Sequence, residues 1–243
     1  MIEMVRSPGR LPQAVARRCR RAYRRVRYQF SQLLSVNLDS IAPPLVEPLD
    51  PILDQISLPP PYVDPKTHDH DDLTPLVRIV RHLKPKMILE LGTAYGNTVA
   101  NLCKVCEARI LTVNALPEQL SGQFVTYALT KDEIGNVYRR YGFEDRVTQI
   151  YANTLDLDLM SHLGRPCVDL AIIDACHDTS YVISDFFKVL PVLNQTAIVL
   201  LHDTHPSMED HLAGSYVACL KLRRQGFDIR YIQSTWWAIW QRR

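Results

Sequence analysis

From residue 87 onward, short apolar segments alternate with longer segments whose apolar residues recur every three or four positions. The short segments are rich in β-branched residues and uncharged through their middles, as strands buried on both faces are. They predict β-strands over residues 87–91, 108–114, 146–152, 168–174 and 197–203. Helical segments separate most of these strands, which predicts an α/β fold with a doubly wound, mostly parallel sheet.

The end of the chain departs from this alternation. A helix is expected over residues 209–225, and two strand-like segments follow it at 227–233 and 236–241. Only Ser234 and Thr235 separate these two segments. Because so short a connection joins neighbouring antiparallel strands, we expect the sheet to close with an antiparallel hairpin.

Residues 41–66 hold eight of the sixteen prolines of the chain. Proline is excluded from helix interiors and central strands, so this stretch predicts an extended connector. The acid-rich residues 67–72 that follow predict the N-terminal cap of a helix over about residues 72–83. The chain is therefore divided into an arm at 1–40, the connector at 41–66 and the α/β domain at 67–243.

The arm has the pattern of a basic amphipathic helix. Residues 1–30 contain nine arginines and one acid, Glu3. Between the arginines, apolar residues recur with helical spacing at Val15, Cys19, Ala22, Val26, Phe30 and Leu33. This stripe is expected to contact an anionic membrane, the α/β domain or a second subunit of a homo-oligomer through residues 14–34. An Arg-rich organelle presequence is a further alternative.

Charge and composition exclude several classes of protein. Beyond residue 30 the chain has 19 basic and 25 acidic residues, a net charge of −6, which does not suit a domain that neutralises nucleic-acid phosphates. No apolar run approaches the roughly 20 residues that cross a bilayer. The six cysteines are scattered and no apolar signal segment is present, so we expect free thiols and a cytoplasmic protein.

The first strand of the domain leads into a glycine turn. Glu90, Gly92, Thr93 and Gly96 lie between this strand and an apolar helix that begins near Val99. Glycine lets backbone approach a ligand closely, and the N-terminus of the following helix offers unpaired N–H groups. Ligands of open α/β sheets bind at the carboxyl ends of the strands, where this turn is expected. The turn is therefore a candidate cofactor site.

This pattern resembles the class I S-adenosylmethionine-dependent methyltransferases, whose Rossmann-like sheet carries an E/D-x-G-x-x-x-G turn and ends in an antiparallel hairpin. The resemblance covers roughly residues 68–243. It implies S-adenosylmethionine as the cofactor, bound by the turn, with Asn114 where the family usually has an acid for the ribose and Asn153 where an acid often lies near the adenine. The G-x-G-x-x-G turn of nicotinamide-binding domains is absent.

Acidic and histidine side chains follow two of the other strands. Asp174 ends the fourth strand with His177 three residues later, and His202 and Asp203 end the fifth. If these strands are adjacent, the two aspartates converge, and paired carboxylates repel each other unless they share a proton or a cation. A divalent metal is the simplest remedy. The alternative is structural, with Asp174 capping the next helix and the histidines unrelated to chemistry.

The D-x-x-H spacing and the acid after the next strand resemble a narrower group, the macrocin-type sugar O-methyltransferases and cephalosporin hydroxylase-like proteins. The resemblance implies that Asp174 and Asp203 bind magnesium and that His177 is the general base. His202 stands where a second acid is common. Imidazole is a poor ligand for magnesium, so His202 either points elsewhere or belongs to a site for a softer metal.

The sequence thus leads to the expectation of a metal-assisted O-methyltransferase that uses S-adenosylmethionine. Its expected acceptor is a hydroxylated small molecule of glycosyl or polyketide-like type. Nucleic acid is not expected as a partner. Two alternatives stay open at this point. One is a hydroxylase-like enzyme of the same fold, and the other is a noncatalytic binding or scaffold protein that retains the fold.

Overall fold

Eight strands form one mixed sheet in the computed structural model, which describes residues 26–27, 32–47, 49–50, 72–120, 128–205 and 213–242. The strands are β1 (Ser35–Val36), β2 (Met87–Leu91), β3 (Arg109–Asn114), β4 (Val147–Tyr151), β5 (Val168–Ile173), β6 (Leu193–Leu201), β7 (Arg230–Ile232) and β8 (Ala238–Gln241). Their order across the sheet is β1-β7-β8-β6-β5-β2-β3-β4. The order reverses between β2 and β5, as in doubly wound folds.

Six α-helices cover the two faces of the sheet within the described ranges. They are α1 (Leu73–Leu83), α2 (Asn97–Val105), α3 (Asn136–Arg140), α4 (Leu159–Leu163), α5 (Thr179–Val189) and α6 (Gly214–Arg224). The first three pack with one apolar cluster and the last three with the other. The α/β prediction with a mostly parallel sheet is therefore confirmed.

The burial of β2 shows why the strands read as continuous apolar runs. Leu89 and Leu91 belong to the cluster with α4–α6, while Ile88 on the opposite face belongs to the cluster with α1–α3. All three are at most 1% exposed. A strand covered on both faces has no solvated side to carry polar residues, so the alternation typical of surface strands is lost.

The predicted closing hairpin is present. β8 runs antiparallel to both β6 and β7, and the hydrogen bond from Ile232 N to Trp237 O closes the hairpin at 2.9 Å. Since β8 is antiparallel to both of its neighbours, β7 runs parallel to the central strands. The carboxyl ends of β6 and β7 therefore meet at the edge where the glycine turn lies.

The strand β1 was not predicted. Ser35 and Val36 pair in parallel with Tyr231 and Ile232 and extend the sheet by one strand, within the stretch assigned to the arm. A strand of two residues is too short to show any alternation. The end of the arm is thus part of the sheet.

Some expectations concern residues outside the described ranges. Residues 51–71, which include most of the connector, and residues 206–212, where the last helix was expected to begin, are among them. The described part of that helix begins at Gly214. Cys103 is a buried free thiol in α2, as expected, and Cys106 is a half-buried one just beyond it. Within the described ranges, every helix is too short or too polar to span a bilayer.

Candidate active site at the carboxyl edge of the sheet

The glycine turn connects β2 to α2 and is held in an uncommon backbone conformation. Gly92 and Gly96 have φ values of +106° and +85°, and Ala94 between them has a φ of +45°. These values lie in the left-handed region, where glycine alone is free of a steric penalty. Gly96 caps the N-terminus of α2, so the first N–H groups of this helix border the turn.

Gly92 also explains how the turn is coupled to the acidic residues. A Cβ at position 92 would lie 1.9 Å from the carbonyl oxygen of Asp174, which leaves no room for a side chain. The Asp174 N–H donates to the Leu91 carbonyl at 2.8 Å. The sequence suggested that Gly92 makes space for a ligand, whereas the close neighbour in the structure is the end of β5.

Glu90 and Thr93 lie beneath the turn. Glu90 is 1% exposed and Thr93 is 3% exposed. The Thr112 hydroxyl donates to the Glu90 carboxylate at 2.6 Å, and the Thr93 and Thr112 hydroxyls are 2.7 Å apart. Gln149 Nε2 donates to Thr93 Oγ1 at 3.0 Å. These side chains form a buried polar chain across β2, β3 and β4 that fixes the floor of the turn.

Burial raises the pKa of Glu90 to about 8, against a smaller lowering by the Thr112 hydrogen bond and with a further rise from Asp174. Between pH 4.5 and pH 8 the unfolded chain has therefore lost this proton while the folded chain keeps it. Stability should fall as pH rises through this window, by as much as about 1.4 kcal/mol per pH unit. Glu90→Gln should flatten this dependence in urea unfolding, and the exposed Glu118→Gln should not. An unchanged slope in the Glu90 variant would contradict the buried, protonated state.

The two asparagines at the ends of β3 and β4 both bind backbone. Asn114 Oδ1 accepts from the Ala94 N–H at 3.0 Å and so ties β3 to the glycine turn. Asn153 Oδ1 accepts from the Leu155 N–H at 3.1 Å, and its Nδ2 donates to Gln119 O at 3.2 Å. Both lie at the edge predicted for the ribose and adenine, and their roles toward a cofactor stay predictions.

The acids and histidines after β5 and β6 do converge. His177 Nδ1 lies 2.9 Å from Asp203 Oδ2, and His177 Nε2 lies 3.5 Å from Asp174 Oδ1. One ligand atom from each of Asp174, His177 and Asp203 can be chosen so that all lie within 4.8 Å of one another. The carboxylate oxygens of Asp174 and Asp203 suit magnesium, whereas a set that also uses the His177 nitrogen suits a softer cation such as manganese or iron, so the donor set fits a divalent cation.

The charge of His177 follows from these neighbours. Burial lowers its pKa, but hydrogen bonds and the charges of Asp174 and Asp203 outweigh this and raise the pKa to about 10. Despite burial, the imidazoles of His202 and His177 hold the pKa of Asp174 below its usual value. Gly214 packs directly against the backbone of His177. A Cβ at position 214 would lie 1.9 Å from the His177 carbonyl oxygen, so only glycine fits there.

His202 occupies the centre of a carboxylate triangle. Its Nδ1 lies 3.1 Å from Asp174 Oδ1 and 3.3 Å from Asp203 Oδ1, and its Nε2 lies 3.2 Å from Asp72 Oδ2. Burial lowers the pKa of His202, but these three acids raise it well above its usual value. Its ring also packs against Trp237, with 4.4 Å between ring centroids. Both ring nitrogens are thus engaged by carboxylates.

Asp72 is the site residue that the sequence did not reveal. It precedes α1, yet its side chain makes no capping hydrogen bond to the helix. The carboxylate accepts instead from the Trp236 N–H at 3.1 Å and from His202, and the Asp72 carbonyl accepts from Trp237 Nε1 at 2.8 Å. Asp72 does stand at the predicted cap position, directly before α1, but its carboxylate caps no N–H group of the helix. Asp72 links the beginning of the domain to the hairpin and to the site.

A polar hollow lies beside Asp203, between the ends of β6, β7 and β1. Its lining includes Gln32, Ser35, Thr204, His205, Gln233 and Thr235. Gln233 Nε2 donates to Ser35 Oγ at 3.0 Å, so β1 contributes directly to its wall. Among the described residues that line the hollow, none is an acid, a lysine or an arginine.

Comparison with known proteins agrees with this geometry. Residues 89–204 match the family model of a methyltransferase domain. No curated protein matches the chain significantly by sequence. Similar solved structures include the SAH-bound methyltransferase PaMTH1 of Podospora anserina, with 19% identity, 69% of this chain and 75% of that chain covered, and a TM-score of 0.54.

A putative caffeoyl-CoA O-methyltransferase from Staphylococcus aureus is similar with 18% identity, 74% and 84% coverage and a TM-score of 0.52. The O-methyltransferase TomG of Streptomyces achromogenes, solved in complex with SAM, gives 16% identity, 69% and 78% coverage and a TM-score of 0.50. These likenesses concern the fold. Residues 89–204 thus match a methyltransferase domain, and the fold of the chain is that of solved S-adenosylmethionine-dependent methyltransferases.

Proposed function

We propose that the protein is a metal-assisted O-methyltransferase that acts on a hydroxylated small molecule. The observation that carries this proposal is the contact between the glycine turn and the acidic cluster. Gly92 lies directly against the Asp174 carbonyl, and Asp174 shares a cation-sized cluster with His177 and Asp203. A methyl donor in the turn and an acceptor oxygen at the cluster would therefore be neighbours. Holding two reactants in contact supplies much of the acceleration of a displacement.

Asp174 and Asp203 are the proposed cation ligands, in keeping with the narrower resemblance to macrocin-type enzymes. Asp203 has a φ of +54°, so its carboxylate is presented from a left-handed position at the end of β6. A bound divalent cation would lower the pKa of the acceptor hydroxyl and so make it a better nucleophile. We place His202 outside the ligand set, because its two nitrogens are already held by three carboxylates. Its role is to keep Asp174 and Asp203 close together.

His177 is the proposed proton acceptor. Its side chain is 20% exposed. The charges of Asp174 and Asp203 keep its imidazole protonated near neutrality, so it would be free to take up a proton only once a bound cation has neutralised these two carboxylates. With S-adenosylmethionine bound, the methyl group would pass from the sulfonium sulfur to the acceptor oxygen, and the proton of that oxygen would pass to His177. S-adenosylhomocysteine and the methyl ether are the products.

His177→Ala should lower turnover roughly a hundredfold while S-adenosylmethionine binding stays unchanged. The residual activity should rise with pH, since a larger fraction of the acceptor hydroxyl then ionises without help. Steady-state rates between pH 6 and pH 10 measure both effects, with the exposed His162→Ala as the control. Full activity in the His177 variant would return this histidine to a structural role.

The polar hollow supports a hydroxylated acceptor. Amides and hydroxyls both donate and accept hydrogen bonds. Because the described residues of the lining include no carboxylate, lysine or arginine, they favour a neutral polyhydroxylated group over a phosphate or a carboxylate. A group bound beside Thr204 would lie next to Asp203. We therefore favour the glycosyl type of acceptor over a polyketide-like one.

The experiment is a release assay for S-adenosylhomocysteine with a panel of neutral glycosides and phenols, run with magnesium, with manganese and with a chelator. Turnover of a glycoside that the chelator removes and a divalent cation restores is the expected result. Methylation that ignores the chelator would exclude cation assistance. Tight S-adenosylmethionine binding without turnover of any panel member would favour the scaffold alternative.

A further inference from the structure

Asp72 and His202 form a line of contacts behind the two proposed cation ligands. His202 Nε2 lies 3.2 Å from Asp72 Oδ2. On the other side of the same ring, Nδ1 lies 3.1 Å from Asp174 Oδ1 and 3.3 Å from Asp203 Oδ1. An imidazole ring is rigid, so a partner that holds one nitrogen also fixes the direction of the other. Asp72 therefore helps to determine where the ring meets the two ligands.

The closing hairpin holds Asp72 in place. Asp72 Oδ1 accepts from the Trp236 N–H at 3.1 Å, and the Asp72 carbonyl accepts from Trp237 Nε1 at 2.8 Å. The buried Trp237 ring also packs against the His202 ring, with 4.4 Å between the centroids. The hairpin thus contacts both partners of the Asp72–His202 pair and restricts the movement of each side chain.

The two histidines of the site contact different oxygens of Asp203. His202 Nδ1 faces Oδ1, whereas His177 Nδ1 lies 2.9 Å from Oδ2. His202 therefore holds the Asp203 carboxylate at one oxygen while the other is directed at the cluster. Partners that orient a ligating carboxylate in this way typically contribute about 10- to 100-fold to metal affinity.

We propose that Asp72 is a positioning residue of the cation site, which acts on Asp174 and Asp203 through His202. The proposal rests on the proposed function, because it concerns the affinity of these two ligands for a divalent cation. It assigns a role in cation binding to a residue that lies before the first helix of the domain, far in sequence from the ligands.

Manganese titrated into the full chain tests the proposal, with electron paramagnetic resonance reporting the unbound ion. Asp72→Asn keeps the size of the side chain, and its amide oxygen can still accept from the Trp236 N–H. The charge that faces His202 Nε2 is lost, and hydrogen bonds to charged groups are the stronger ones. We expect the Kd for manganese to rise about tenfold. Asp228→Asn is the matched control, since Asp228 precedes β7 in the same hairpin and pairs with Arg230 at 3.0 Å.

His202→Gln and the double variant show whether Asp72 acts through His202. Substitutions of two residues that act through one contact do not have additive effects. We expect the double variant to bind manganese as weakly as His202→Gln alone. Asp72→Asn should leave S-adenosylmethionine affinity and urea unfolding unchanged, which separates positioning from a general structural role.

Equal manganese affinity in the unaltered chain and the Asp72 variant would overturn the role of Asp72 and leave the proposed function intact. Losses that multiply in the double variant would also overturn it, because Asp72 would then act independently of His202. A joint loss of stability and S-adenosylmethionine affinity would give Asp72 a structural role instead. An unaltered chain that binds no manganese would contradict the cation in the proposed function, and this proposal with it.

Discussion

Replacing Asp174 with asparagine should abolish cation-stimulated turnover, on the order of a thousandfold, while S-adenosylmethionine still binds. The amide keeps the size of the side chain but removes the charge that holds a cation. The backbone contacts of Asp174 with Leu91 and with Gly92 are unchanged, so the glycine turn should remain intact. Asp203→Asn should behave alike, because asparagine tolerates the left-handed conformation at position 203.

Turnover with and without added cation measures the effect, alongside a calorimetric titration of S-adenosylmethionine. The control is Asp145→Asn, an exposed acid that precedes β4 at the opposite edge of the sheet. Full cation-stimulated turnover in the Asp174 variant would remove this residue from the ligand set. Loss of S-adenosylmethionine binding would show instead that the carboxylate supports the turn.

Gly92→Ala should destabilise the fold by about 3 kcal/mol or more. A left-handed backbone strains any side chain, and at this position the added Cβ would also lie 1.9 Å from the Asp174 carbonyl oxygen. Gly142→Ala is the matched control. Gly142 also has a positive φ, of +72°, but a Cβ added there would meet no atom within 4 Å, so only the strain of about 1 kcal/mol remains.

Urea unfolding of both variants separates the two costs. We expect the Gly92 variant to lose clearly more stability and to lose S-adenosylmethionine affinity as the turn moves away from β5. Equal losses in the two variants would contradict the tight contact between the turn and Asp174.

The strands could be predicted because burial on both faces leaves a strong local signal. β2 begins and ends at the predicted residues. β6 begins at Leu193, four residues before the predicted start at residue 197. The prediction missed these residues because Asn194, Gln195 and Thr196 interrupt the apolar run. Asn194 is needed as a hydrogen-bond donor, because its amide donates to Asp169 on the neighbouring strand β5 at 2.6 Å. A hydrophobic pattern along the chain does not reveal such a pair.

The part of the site that depends only on the order of the strands could be predicted from the sequence. Asp174, His177, His202 and Asp203 follow two strands that proved adjacent, and their convergence needs only a parallel sheet. The partner of His202 could not be foreseen in this way. Asp72 lies 130 residues earlier in the chain, and an acid before a helix is normally a cap. The contact of Arg27 with the Tyr216 ring was hidden similarly, because Tyr216 lies in α6.

We expect the methyl donor and the cation to be neighbours at one edge of the sheet. Nuclear magnetic resonance of S-adenosylmethionine labelled with carbon-13 in its methyl group tests this most directly, with manganese titrated into the full chain. We predict strong paramagnetic broadening of the bound methyl signal, absent in the Asp174→Asn protein. A sharp methyl signal in the unaltered protein while manganese is bound would contradict this claim.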